Sequence, residues 1–551
     1  MAEAGARELD VPRMRWWGWG AGEHPPGLPP GALRFLADTV GTAGPSPPVA
    51  LSRVELAPSS LSQQTVSALR AIVGAGAVRD DHEERVLHAA GKGYPDLVRL
   101  RAGEPDGAPD AVVLPGDAGE VAAVLALCAR AGLAVVPFGG GTSVVGGVAP
   151  LRGAHGAVIS LDTARLGEVL ALDRESRTVA VGAGLRAPAL ERRLARHGLT
   201  LGHYPQSFEY VSLGGCAATR SAGQASSGYG AIEKMVLGLR MTAPAGEIAL
   251  PPLPASAAGP SLRQTLVGSE GTLGVITELS LRVREAPRER IYEGVFFEDF
   301  ATGTEALREL AQRGASPDVA RLSDEPETRM SLALAGSGGL KGRIGRLYLG
   351  ARGYREGCLA IVGFEGEEGA AAARRRRALA LLRGHGGLAI GGAPGRAWLA
   401  GRFAAPYLRD ELLTHGVLVE TLETAAQWST LRPLHRAVGE AIAQALRDCG
   451  TPGLVMCHVS HLYETGASLY FTFLARQREQ DPIGQWRAVK RAASAAIVAG
   501  GGTITHHHAV GRDHAPWIAA EIGETGLAAL RALKGKLDPA GVMNPGKLLA
   551  G

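Results

Sequence analysis

The sequence predicts an α+β protein of two structural units with an extension at each end, and three observations predict it. Short apolar runs alternate with helical stretches from Pro109 onward. Three glycine-rich loops, at 133–147, 207–240 and 267–283, each pass the chain from one regular element to the next. Near Glu289 a second rhythm of strand-like runs and helices begins. The expected divisions are an extension at 1–106, an αβ unit at 107–287, a cap at 288–500 and a C-terminal segment at 501–551. A chain of 551 residues has room for two to four domains with sizeable cores.

Composition excludes several classes. With 46% hydrophobic and 20% charged residues the chain is that of a soluble globular protein, and a net charge of +4 is too small to favour nucleic acid as a partner. Cys128, Cys216, Cys358, Cys449 and Cys457 are scattered without CxxC spacing, which points to a reducing compartment and against a disulfide framework or structural zinc. MAEAGARELD at 1–10 lacks the basic and apolar regions of a secretion signal, and no apolar run approaches the ~18 residues that cross a bilayer. No C-terminal SKL is present. The expected location is the cytoplasm, with any membrane contact peripheral.

In chain order, MRWWGWG at 14–20 reads as packing anchors, followed by Pro/Gly-rich turns and a polar helix around Asp80 to His88. A strand at 111–114 precedes Asp117 and Glu120, spaced as a capping box for a helix at 121–130. The apolar run 133–137 is a buried strand that breaks into Gly139, Gly140 and Gly141, then Thr142 and Ser143. Glycine lets consecutive N–H groups turn inward, so this loop can form a nest for a diphosphate. Strands follow at 157–161 and 178–181. GAGLRA at 182–187 imitates a dinucleotide fingerprint, but strand-like LTLGH at 199–203 ends in histidine where a ribose-binding acid is required. It is read as a tight strand-to-helix turn. No Lys follows the glycines of 139–141, so they are not a Walker loop.

The motifs PFGGGTS (137–143), SFEYVSLGG (207–215), TRSAG (219–223), YGAIEKMV (229–236) and GSEGTLGVIT (268–277) occur in one order. Together they resemble the FAD-binding module, of PCMH type, of the vanillyl-alcohol-oxidase flavoprotein superfamily. Within it the chain is most similar to the alkyldihydroxyacetonephosphate synthase family, across nearly its whole length. The resemblance implies a two-subdomain FAD-binding module, an α+β cap over the flavin and a C-terminal helical segment. FAD is expected to be noncovalent, since the glycine loop offers no histidine for attachment. The implied cofactor-binding set begins with Pro137, Phe138, Gly139, Gly140, Gly141, Thr142 and Ser143. It continues with Gln206, Ser207, Phe208, Glu209, Tyr210, Val211 and Ser212, then Thr219, Arg220, Ser221 and Ala222. Glu270, Gly271, Thr272, Leu273, Gly274, Val275 and Ile276 complete it.

The cap is expected to hold strands at 291–297, 319–324, 347–351 and 358–366 and helices at 302–313 and around Arg374 to Arg377, the arginine run being a solvated face. Tyr470 lies in an alternating stretch, 468–473, that reads as a strand. By resemblance Tyr470 is the active-site tyrosine, Arg409 binds the leaving carboxylate and Arg321 is a further arginine needed for activity. Guanidinium suits such anions because its fork meets two oxygens at once. His506, His507 and His508 can move protons and pair with phosphate. A metal reading would need His458 and His461 as well, and successive residues of an extended segment alternate faces, so no metal is expected.

The implied reaction is ether-lipid synthesis. An acyl-dihydroxyacetone phosphate loses a C1 proton to Tyr470 and the histidine run, bonds to flavin N5, releases its fatty acid and accepts a fatty alcohol, with no net redox change. Small lipid substrates, an apolar tunnel and a homodimer are the expected accompaniments. The alternative is an FAD-linked 2-hydroxyacid dehydrogenase or oxidase acting on D-lactate or glycolate, which the ending LDPAGVMNPGKLL resembles equally. The dehydrogenases carry a His…GNxH metal motif and a Gly-Glu-His where this chain has His458, Tyr470 and the histidine run. Two residues depart from the synthase pattern: Ala509 replaces a glycine and His458 an arginine.

Overall fold

The structure, a computed structural model, describes residues 13–21, 28, 30–334, 349–350, 352, 354 and 356–549. Among them the strands form four sheets. Val78–Arg79 (β1), Ala111–Val113 (β2), Leu133–Phe138 (β3) and Ala157–Asp162 (β4) pair in the order β1-β2-β4-β3. β4 runs parallel to both β2 and β3. Parallel strands are covered on both faces, which is why these read as unbroken apolar runs. The helices Gln63–Val73 and Ala118–Ala131 supply Leu69, Val73, Val121, Val124 and Leu125 to that core. Asp117 caps the second by accepting the Glu120 N–H at 2.8 Å, while Glu120 reaches back to the Gly116 N–H rather than closing the box on Asp117. The C-terminal segment returns here: Val135 N–H donates to Val542, and Asn544 N–H to Val135.

Val169–Asp173 (β5), Thr178–Gly182 (β6), Leu199–Thr200 (β7), Val236–Ala243 (β8), Gly246–Leu250 (β9), Val275–Arg282 (β10) and Arg284–Glu285 (β11) follow. Five form an antiparallel sheet, β5-β6-β10-β8-β9, and β7 pairs with β11 alone. GAGLRA is a tight turn between β6 and the helix Ala187–Ala195, and the LTLGH stretch is strand only over its first two residues.

The cap is a seven-stranded antiparallel sheet. Its strands are Glu289–Phe297 (β12), Val319–Ser323 (β13), Cys358–Gly366 (β14), Leu388–Gly391 (β15), Val417–Gln427 (β16), Leu454–Leu462 (β17) and Gly466–Arg476 (β18), in the order β15-β12-β14-β13-β17-β18-β16. One face buries Phe297, Phe364, Phe471 and Phe473 against the helices Phe300–Gln312, Ala370–Gly384, Trp428–Asp448 and Pro482–Ala499. The other face packs Tyr292, Val319 and Ile361 against the core of the αβ unit and, along β16, β17 and β18 and at Arg321 of β13, lines the cavity. The strand expected at 347–351 lies largely outside the described residues, and Leu349 and Gly350 are helical. The arginine run is a largely exposed face, with a correction: Arg374 pairs with Asp318 at 2.9 Å and Arg375 with buried Glu293.

The N-terminal segment is tied into the cap. Trp19 is buried, and its backbone N–H donates to Asp410 at 2.7 Å. A Cβ at Gly18 would collide with the Asp410 carboxylate, and Gly20 is held at φ +84° against the Tyr407 ring, so each glycine of Gly-Trp-Gly has its own constraint.

Candidate functional site

Between the two αβ sheets and the open face of the cap lies one cavity of about 620 Å3. Its first wall is the glycine loop. The backbone N–H groups of Gly140, Gly141, Thr142 and Ser143 meet no acceptor among the described residues. Four adjacent free donors make a nest for an anionic group. Gly140 approaches the Tyr210 carbonyl so closely that a Cβ there would collide with it. Ser212 accepts the Gly215 N–H and so starts the short helix Leu213–Ala218, whose N-terminal end also lines the cavity. Glycines and hydroxyls with unused amides fit a flavin dinucleotide.

Most residues expected at the cofactor are brought together here: all of 137–143, with Gln206, Ser207, Val211, Ser212, Thr219, Ser221, Ala222, Glu270, Gly271, Gly274, Val275 and Ile276. Phe208, Glu209, Tyr210, Arg220, Thr272 and Leu273 do not line the cavity, and Glu209 and Arg220 are exposed. Phe208 stacks on Phe403, Glu209 accepts from the Tyr407 hydroxyl at 2.6 Å, and the Tyr210 carbonyl accepts from Arg186. Buried Glu270 accepts the N–H groups of Val510 and Gly511, tying the loop after the histidines to the cradle. Desolvation raises its pKa to about 7.

The second wall is set by strand register. Glu423 of β16 and His458 of β17 are both partners of Tyr470 on β18. Directly opposed residues share a face, so the three form one polar row. Two residues along, Thr421, Thr472 and Met456 make the next row, and then Val419, Leu474 and Leu454. The cavity face therefore grades from titratable to apolar along the strands. Leu36, Met330, Leu408 and Leu412 continue the apolar end, and Trp19 joins the lining.

Tyr470 is buried, its ring 4.9 Å from His458 and 6.1 Å from His507 and nearly parallel to both. Its hydroxyl reaches Gln206 of the first wall at 3.5 Å. Burial pushes the phenol up to about 12, so it stays protonated at neutral pH. Arg321 donates to His458 Nε2 at 3.1 Å and to Glu327 at 2.8 Å. Arginine only donates, so His458 must carry its hydrogen on Nδ1, which faces Glu327 Oε1 at 2.9 Å. Burial and then Arg321 push His458 down, keeping it neutral. Against the cost of burial, Arg321 and His458 hold Glu327 at about 2. Arg409, on the helix Ala405–Thr414, donates to the Lys92 carbonyl and to Glu420 at 3.2 Å each, and lines the cavity with further N–H donors to spare.

The histidine run sits in an irregular loop, which removes the alternation expected of an extended segment. Glu423 Oε1 accepts the backbone N–H groups of His506, His507 and His508 at 3.0, 2.5 and 2.7 Å. His507 and His508 reach the cavity, while His506 turns away to Tyr463 at 2.5 Å. The nitrogen or oxygen atoms of His461, His506 and His507, and of Glu423, His507 and His508, lie within 4.8 Å of one another in each set. His461 commits both ring nitrogens, Nε2 to the Gly223 carbonyl and Nδ1 to serine hydroxyls. Ala509, next to the run, has φ +75°, the left-handed region that glycine favours.

Glu327, Glu420 and Glu423 were not visible as site residues in the sequence. For Glu420 and Glu423 the available signal was an acidic residue inside an otherwise apolar strand, VLVETLETAAQ, at positions that turn out to be buried, whereas Glu327 lies on the helix Glu325–Leu334.

The model for an FAD binding domain matches residues 109–249, and that for the C-terminal domain of FAD linked oxidases matches 286–548. An alkyldihydroxyacetonephosphate synthase of Trypanosoma brucei brucei is 34% identical over 533 residues, covering 94% of this chain and 87% of that protein. One from Dictyostelium discoideum is 32% identical, covering 92% and 84%. A solved structure of an alkyldihydroxyacetonephosphate synthase superposes with a TM-score of 0.84 at 29% identity, over 97% of this chain and 98% of that one.

Proposed function

Because the chain belongs to the alkyldihydroxyacetonephosphate synthase family, we propose that it exchanges the acyl chain of acyl-dihydroxyacetone phosphate for a fatty alcohol. It is an alkylglycerone-phosphate synthase-type enzyme of PCMH-type fold with FAD as cofactor. The observation that carries the finer reading is the graded cavity face, on which a titratable row, two arginines and an apolar lobe adjoin one cradle.

Residues 139–143 would hold the FAD diphosphate, with Ser212, Thr219, Ser221 and Glu270 around them. When bound, the flavin supplies an electron-accepting ring. Arg409 holds the carboxylate of the fatty acid as it leaves, and Arg321 offers a second guanidinium to the phosphate of the substrate, each through the donors its glutamate partner leaves free. Leu412, Val419, Met456 and Leu474 enclose an alkyl chain and exclude water from the polar row. Tyr470, a protonated phenol, and His507 and His508 beside it hold and move the proton exchanged at the substrate carbon. The net reaction leaves no electrons over, so no acceptor is required. Peripheral contact with the membrane that supplies the alcohol, and a homodimer, complete the proposal. Among the described residues no helix is long and apolar enough to cross a membrane.

The test is to supply the FAD-loaded protein, without oxygen, with acyl-dihydroxyacetone phosphate and hexadecanol. Ether product with no electron acceptor present is the expected result. Dye reduction by D-lactate or glycolate with no ether formed overturns the proposal in favour of a dehydrogenase. Sedimentation with anionic vesicles and analytical ultracentrifugation test the membrane contact and the dimer.

A further inference from the structure

Glu423 has no exposed side-chain surface, yet its two oxygens are used differently. Oε1 is filled by the three backbone N–H groups of the histidine run and by the Thr505 hydroxyl at 3.2 Å. Oε2 has no hydrogen bond of acceptable angle, but lies 2.7 Å from His507 Nδ1 and 3.2 Å from His506 Nδ1. Those two nitrogens are themselves 3.0 Å apart. Two Nδ1 atoms at that distance attract only if one carries a hydrogen and the other does not, since two hydrogens would collide. A buried carboxylate also needs a compensating positive charge close by.

We propose that Glu423 is a positioning residue that binds His506 and His507 into one unit, holding a single proton in the triangle of Oε2 and the two Nδ1 atoms beside Tyr470. This rests on the reading that the histidine run moves a proton. The unit leaves Nε2 of His507 as the ring nitrogen not committed to Glu423, while Nε2 of His506 is taken by Tyr463. Proton transfer to or from His507 then changes the occupancy of the whole triangle, and the carboxylate charge sets the pH at which that happens.

The neighbours leave this proton to the unit. From β17, His458 and His461 face the pair, and burial drives both down; His461 is also lowered by His506 and His507. Tyr463 is raised by burial and by Glu233 and Glu423. Tyr470 of β18 is raised to about 12, and His203, across the cavity, is lowered by burial to about 3. His508 is held down by burial, with Lys490 and His514 facing it, and His514 is lowered to about 3. Glu423, despite the cost of burial, is held well below the carboxylate range by the histidines.

Glu423→Gln tests this, because a carboxamide oxygen can still accept the three backbone N–H groups while the charge is gone. The FAD-loaded variant is expected to keep its flavin but lose turnover tenfold or more, with its pH–rate limb moved at least one unit to lower pH. Unchanged turnover and pH profile would overturn the proposal. A readout free of activity is 15N NMR of the histidine-labelled holoenzyme. In the native protein the Nδ1 signals of His506 and His507 should titrate together as one coupled step. Independent titration overturns the proposal even if the variant fails to fold. Coupled titration in a protein that makes no ether product would sink the synthase reading alone.

Discussion

The cradle and the cap face each other across one cavity, the first presenting backbone donors and small hydroxyls, the second buried charged side chains. In the cradle, the four adjacent amides of 140–143 come from one uninterrupted stretch. In the cap, Arg321, Glu327, His458, Tyr470, Glu423 and His507 come from β13, the helix Glu325–Leu334, β17, β18, β16 and a C-terminal loop. The difference teaches that binding a diphosphate needs only a local backbone shape, whereas holding and moving a proton needs groups whose ionisation each neighbour tunes. Substitutions in the cap should therefore alter turnover and pH dependence, and those in the cradle flavin retention.

The largest effect is expected from Tyr470→Phe. It should lower turnover by about a hundredfold to ten-thousandfold while the flavin absorbance of the purified protein is unchanged. Joint loss of flavin and turnover would erase the distinction between the walls.

Glu327→Gln should act on stability. The folded carboxyl, at about 2, lies below its ordinary value of 4.5. Its contribution is therefore present above pH 4.5 and disappears as pH falls toward 2. Urea unfolding at neutral pH should show a deficit on the order of 3 kcal/mol, shrinking in acid. A deficit that does not vary with pH would mean packing rather than charge.

Gly140→Val probes the other wall. Crowding against the Tyr210 carbonyl should weaken FAD binding roughly tenfold to a hundredfold, read by titration of the apoprotein. The pH profile of the flavin-saturated variant should stay that of the native protein.

The smallest effect is expected of Ala509→Gly. Relief of about 1–2 kcal/mol of left-handed strain, less about 0.5–1 kcal/mol of added chain entropy, should raise stability by roughly 0.5–1 kcal/mol. Thermal melting of the holoenzyme measures it.

Legibility followed the same division. The glycine loop, its preceding strand and the capped helix after Asp117 were readable because each is a contiguous pattern. Tyr470, Arg321 and Arg409 were reached only through linked motifs and resemblance, whereas His506, His507 and His508 stood out as three consecutive imidazoles. The tyrosine and the arginines taken alone are ordinary strand or helix residues, and the structure places all of these but His506 at the cavity. The Trp cluster read as packing anchors, yet Trp19 also lines the cavity, because Asp410 holds its backbone against the helix that carries Arg409. Glu423 gave no local signal of a partnership with residues 83 to 85 positions away.

By itself the amino-acid order determined which segments become strands, helices and an amide-lined turn, since these follow from side-chain period, caps and glycine over a few neighbouring residues. Only tertiary structure decided which acids meet which imidazoles. Strand register and the path of an irregular loop place those atoms within 3 Å, and both depend on how distant segments bury their apolar faces together.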